Sequence, residues 1–87
     1  MSNPVIDTFG NKEWRNVDGV LHREDGPAII LSSGSTLYYR DGKLHREDGP
    51  ACEYADGDKE WYLNGKKYTE EEFALIQFFI NGVNVYV

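Results

Sequence analysis

The chain has 87 residues, enough for one domain, 1–87, around one core. Fifteen acidic residues against nine basic ones give a net charge of −6 and a pI near 4.7. That balance opposes direct binding to nucleic acid or an anionic membrane surface and suits a basic protein surface.

The chain opens on Met1 to Gly10, which lacks the basic start and apolar run of a signal peptide. Gly10-Asn11-Lys12-Glu13-Trp14 follows, and a close copy stands at Gly57-Asp58-Lys59-Glu60-Trp61. Next comes Asp18-Gly19, a tight-turn dipeptide, and then Leu21-His22-Arg23-Glu24-Asp25-Gly26-Pro27-Ala28. This octapeptide recurs letter for letter at 44–51, an offset of 23 residues. Gly19, Gly42 and Gly65 keep the same offset, as do Gly34 and Gly57. The two Trp-containing segments lie one residue beyond two periods, so one residue is inserted near Asn16 or Val17. An added residue in a strand reads as a β-bulge.

Asp41-Gly42, Asp56-Gly57 and Asn64-Gly65 mark further turns, and the runs between turns are rich in Tyr, Trp, Ile and Leu. They predict antiparallel strands of about four to six residues. The fold class expected is mainly β: an antiparallel meander of 23-residue hairpin repeats over about 10–68. Alternation places Ile29, Leu31, Tyr38, Trp61, Leu21 and Leu44 inward, and Ile30 and Leu37 outward. Thr69-Glu70-Glu71-Glu72 is a capping box that starts a C-terminal helix over about 69–80, and Val83 to Val87 alternates like a short last strand over about 82–87. The helix is the expected cover for the apolar side of the sheet. Its apolar stretch, 73–80, is too short to span a membrane. Cys52 is the one cysteine, which excludes an internal disulfide and suits a reducing, cytoplasmic compartment.

Tyr39-Arg40-Asp41-Gly42-Lys43-Leu44-His45 and Glu53-Tyr54-Ala55-Asp56-Gly57 resemble pieces of membrane-occupation-and-recognition-nexus (MORN) repeats. The resemblance breaks at Arg46 to Ala51. The Leu-His-Arg-Glu-Asp-Gly-Pro-Ala form is more similar to arrays in phage and giant-virus proteins. MORN repeats imply protein scaffolding. The viral-type arrays imply a small interaction protein, such as a phage product in the host cytoplasm that inhibits or adapts a host factor in an anti-defence role.

The His-Arg-Glu-Asp cluster has the residue types of general acid-base chemistry, but it occurs twice unchanged, whereas an active site is normally unique. No Ser-His-Asp set, phosphate-cradling loop or CxxC pair is present. The expectation is therefore a non-enzymatic binding protein with no cofactor, no metal and no catalytic residue. Its binding residues would be an outward strip of Tyr39, Tyr62, Leu37 and Ile30 together with Arg23, Arg46, His22 and His45. Phe73, Ile76, Phe79 and Ile80 would serve partner contact or a homodimer seam. Two alternatives stand beside a protein partner. One is a nucleic-acid mimic whose carboxylates imitate phosphates. The other is a nucleotide sponge that receives phosphate on Arg23 and Arg46.

Overall fold

A computed structural model describes residues 3–82 of the chain. Among the described residues, nine antiparallel strands and one helix follow in the order β1 (Val5–Ile6), β2 (Lys12–Glu13), β3 (Ile29–Ile30), β4 (Thr36–Leu37), β5 (Tyr39–Arg40), β6 (Lys43–Leu44), β7 (Cys52–Glu53), β8 (Lys59–Leu63), β9 (Lys66–Tyr68) and α1 (Glu70–Gly82). Seven strands form one sheet in the order β1-β2-β3-β4-β7-β8-β9, and β5 and β6 form a separate hairpin.

Strands β1 to β7 hold two residues each, shorter than the four to six expected. The reason lies in how a long segment shares its partners. Thr36–Leu37 pairs with β3 on one side and β7 on the other, whereas Tyr39–Arg40 pairs with β6. Tyr38 sits at the changeover, donating its N–H to Ala51 and accepting from His45. Trp14 does the same between Ala28 and His22. Each change of partner interrupts the ladder, so one extended segment becomes two short strands.

Asp41-Gly42 and Asn64-Gly65 have positive φ at both residues, the backbone of a two-residue hairpin turn that follows strand twist. The first hairpin is longer. Asn16 donates to Val20, and Asn16 Oδ1 accepts from the amides of Asp18 and Val20. The inserted residue therefore enlarges the loop to 17–19 instead of bulging within a strand. A loop costs less to extend than a ladder costs to disrupt.

Register corrects the face assignment. Ile29, Leu37 and Cys52 are consecutive cross-strand partners, so Leu37 lies on the face of the fully buried Cys52 and not outward. Alternation within one strand gives only relative parity; pairing between strands fixes which parity faces the core. The core is narrow: Trp14, Ala28, Ala51, Cys52 and Phe73 are its buried hydrophobic residues, joined by Ser35 and His45. Ser35 Oγ accepts from the Ala55 amide 20 residues on, tying two loops together. The molecule measures 52 × 31 × 18 Å with a radius of gyration of 14.5 Å. A compact chain of this length would have a radius near ~12 Å, so the body is elongated.

The helix begins as the capping box requires: Thr69 Oγ1 accepts from the Glu72 amide and Glu72 Oε1 from the Thr69 amide. It does not cover the sheet as expected. Thirteen residues reach only about 20 Å, and the helix packs at one end, against β8 and β9. Leu75, Phe78 and Phe79 stay exposed. Gly82 belongs to the helix, and the remainder of the expected final strand, 83–87, lies outside the described residues.

Candidate functional site

The repeated octapeptide places the same side chains in the same contacts twice. Arg23 Nε donates to Asp25 at 2.9 Å and its Nη1 donates to the Pro27 carbonyl at 3.1 Å. Arg46 repeats this with Asp48 at 2.8 Å and Pro50 at 3.1 Å. Each guanidinium also lies over an aromatic ring, with the Arg23 Cζ 3.9 Å from the Trp14 ring centroid and the Arg46 Cζ 4.1 Å from that of Tyr38. Planar stacking plus a two-donor fork is a combination lysine cannot supply. Gly26 and Gly49 make room for it: a Cβ at either would stand 3.0 or 3.2 Å from the guanidinium carbon.

The histidines staple each corner to the following turn. His22 Nδ1 accepts from the Asp41 amide, and His45 Nδ1 from the Asn64 amide, both at 2.9 Å and both 19 residues on. Their Nε2 atoms face Glu24 at 3.2 Å and Glu47 at 3.1 Å. An amide donor at Nδ1 requires that nitrogen to be unprotonated, so Nε2 carries the proton and donates to the carboxylate. The imidazole is thereby used at both nitrogens.

The acids of the corners remain at the surface. The side chains of Glu24, Asp25, Glu47 and Asp48 are 65–84% exposed. Hydrogen bonds from Arg23 and Arg46 hold the carboxyls of Asp25 and Asp48 below the usual carboxylate range. A cleft of about 470 Å³ separates the two corners, lined by these four acids with Tyr38, Arg40, His45 and both arginines. Arg40 stands 4.0 Å from Glu47 within it.

The residues expected as one outward strip do not form a single surface. Leu37 shares the Cys52 face; Tyr39 is close enough to Cys52 and Tyr62 for their charges to add to the burial that raises its pKa. Ile30 belongs to the opposite row, with Lys12 and Thr36. All four are half-buried. Among the residues expected at a partner seam, Phe73 is buried inside the chain, Ile76 is half-buried and Phe79 is exposed. The side chain of Ile80 lies outside the described residues.

Two features had no counterpart in the sequence reading. One is the stacking of Arg23 and Arg46 on aromatic rings nine and eight residues earlier. The recurring spacing of an aromatic and an arginine was the available signal. The other is a polar chain on the core face: Tyr54 donates to Glu60 at 3.0 Å, and Lys67 to Glu60 at 3.2 Å. Hydrogen bonding with Cys52, then burial, pushes the Tyr54 pKa well above its ordinary value. Burial raises the Cys52 thiol, which keeps it protonated and poorly nucleophilic. Among the described residues no group of three or more His, Cys, Asp or Glu is placed to hold a metal ion, and no helix is long and apolar enough to cross a membrane.

Comparison with protein-family models, curated proteins and solved structures returns no match.

Proposed function

We propose that the chain is a non-enzymatic binding module, built as a tandem array of 23-residue units, that inhibits or tethers a protein partner through an acidic ridge. One observation carries this reading. Both octapeptides turn their His and Arg inward onto the fold and leave Glu24, Asp25, Glu47 and Asp48 at the surface. If each unit contributes two strand widths, equivalent acids recur roughly every 10 Å along the ridge. An extended basic segment carrying Lys or Arg three residues apart has the same spacing, so charge and period both suit a basic protein surface.

The geometry favours this over the two alternatives. Arg40 among the carboxylates interrupts the continuous negative stripe a nucleic-acid mimic needs. Arg23 and Arg46 are committed to Asp25, Asp48 and the proline carbonyls, so a nucleotide phosphate would have to displace existing bonds.

The test compares capture of basic proteins by the wild-type chain and by Glu24→Gln/Glu47→Gln, across increasing salt. A ridge predicts a partner that is lost at high salt and lost again in the double variant at low salt. Capture that is indifferent to both would overturn the reading.

A further inference from the structure

We propose that the Trp61 ring and the acids around it form a receptor for an arginine side chain of a partner protein. This goes beyond the ridge, because it concerns one ring at the end of the array and the choice of arginine over lysine. It holds whether or not the ridge binds anything.

Three rings correspond in the array. Trp14 donates its amide to Ala28 and accepts from His22, and Tyr38 does the same with Ala51 and His45. The 23-residue offset carries Tyr38 onto Trp61. The first two rings are covered by the chain's own arginines, with Arg23 Cζ 3.9 Å from the Trp14 centroid and Arg46 Cζ 4.1 Å from that of Tyr38. Arg46 follows Tyr38 by eight residues, and eight residues after Trp61 stands Thr69. Thr69 carries no charge, and its hydroxyl is taken by the Glu72 amide at the start of α1. Lys66 lies over Tyr68, the cross-strand partner of Trp61, at 5.3 Å. Among the described residues no cation lies over Trp61 itself. Of the two tryptophans, Trp14 is buried beneath its arginine and Trp61 is half-buried.

A cleft of about 480 Å³ opens at Trp61, between the β8–β9 hairpin and the first turn of α1, with Tyr54 and Tyr68 beside the indole. Its charged lining is acidic on balance. Lys67 is already paired with Glu60 at 3.2 Å, and Asp58, Glu70 and Glu72 outnumber Lys59. Asp58 and Glu70 are exposed and carry no ion pair among the described residues. The chain before Asn3 leads to β1, at the far end of the strand order. The five residues after Gly82 span at most about 17 Å, less than the roughly 20 Å from Gly82 back along the helix to Thr69, so they stop short of this cleft.

The occupant's chemistry is read from the two rings that the chain covers itself. Each takes a guanidinium, whose edge donates to a carboxylate, Asp25 or Asp48, of the same octapeptide. At Trp61 the acids of the cleft supply that carboxylate. A guanidinium is planar and weakly hydrated, so it covers a ring face while its edge still donates; an ammonium holds its water more tightly.

The experiment titrates the isotope-labelled full chain with end-capped Gly-Arg-Gly and follows the two indole N–H signals and the backbone amides by NMR. Saturable shifts at the Trp61 indole and at Asp58 and Glu70 are expected, with the Trp14 indole unmoved. Gly-Lys-Gly, and the same peptide with citrulline, which keeps the shape of arginine and loses its charge, should each bind about three- to tenfold more weakly. Asp58→Asn/Glu70→Gln should weaken the arginine peptide about two- to fivefold. Glu24→Gln/Glu47→Gln should leave its binding unchanged, which separates this site from the ridge. No saturable shift at Trp61, equal binding of the lysine or citrulline peptide, or a loss in the Glu24/Glu47 variant matching that in the Asp58/Glu70 variant would overturn the proposal.

Discussion

Replacing Arg46 with alanine tests whether the octapeptide is scaffold. The guanidinium is about one-fifth exposed and makes four contacts: a hydrogen bond to the Pro50 carbonyl, a stack on Tyr38, a pair with the well-exposed Asp48 and a longer, partly exposed pair with Glu53 at 3.7 Å that adds little. A charged donor on a half-buried carbonyl contributes about 1–2 kcal/mol once partial solvent screening is allowed for. The stack adds about 0.5–1 kcal/mol. The pair with Asp48 adds little, because exposed pairs are screened. Arg46→Ala should therefore cost about 2–3 kcal/mol, a large share of the roughly 4–13 kcal/mol expected for a domain of this size. The melting point should fall by about 10–20 °C. Arg23→Ala should match it within about 1 kcal/mol, since Arg23 makes the corresponding contacts with Pro27 and Trp14. Arg46→Lys should recover only a minor part, because an ammonium neither forks nor stacks flat. Urea unfolding followed by tryptophan fluorescence measures all three. A loss under about 0.5 kcal/mol for either alanine variant would refute the reasoning.

Other consequences are equally direct. Gly26→Ala and Gly49→Ala push a Cβ to within 3.0 and 3.2 Å of the guanidinium carbon, and each should cost about 1–2 kcal/mol in the same unfolding assay. Cys52, buried and with its thiol pKa raised, should resist a thiol reagent in the native protein and react only at the rate of unfolding. Asp25, Asp48 and Glu60 all have folded pKa values below their ordinary 3.8, 3.8 and 4.5. Carboxylates of that kind stabilise fully above the ordinary value and lose their contribution as the pH falls towards the folded one. The melting point should thus hold near neutrality and decline from about pH 5 downward, and Asp25→Asn/Asp48→Asn should flatten the decline.

Much of this architecture was legible in the sequence because turn chemistry is local. Asp41-Gly42 and Asn64-Gly65 demand positive φ, and Thr69 with Glu72 caps a helix through bonds three residues apart. What was not legible depends on partners distant in sequence. The strands shortened because Trp14 and Tyr38 change neighbours halfway, and Leu37 moved to the core face because register with Ile29 and Cys52 placed it there. The helix reaches one end of the body alone because the molecule is 52 Å long and thirteen helical residues span only about 20 Å. At the candidate site, the repetition of His-Arg-Glu-Asp marked a structural corner. The stack of each arginine on an earlier ring, and the use of His22 and His45 as acceptors for amides 19 residues away, needed the folded geometry.

The structural role of the octapeptide can be observed bond by bond. A long-range nitrogen–nitrogen coupling experiment on the labelled protein at neutral pH detects a hydrogen bond from a backbone amide to an imidazole nitrogen. Two couplings are expected, from Asp41 to His22 Nδ1 and from Asn64 to His45 Nδ1, with both rings protonated at Nε2. Finding either histidine uncoupled, or protonated at Nδ1, would contradict a corner that is built the same way twice and would return that imidazole to the list of groups free to act on a ligand.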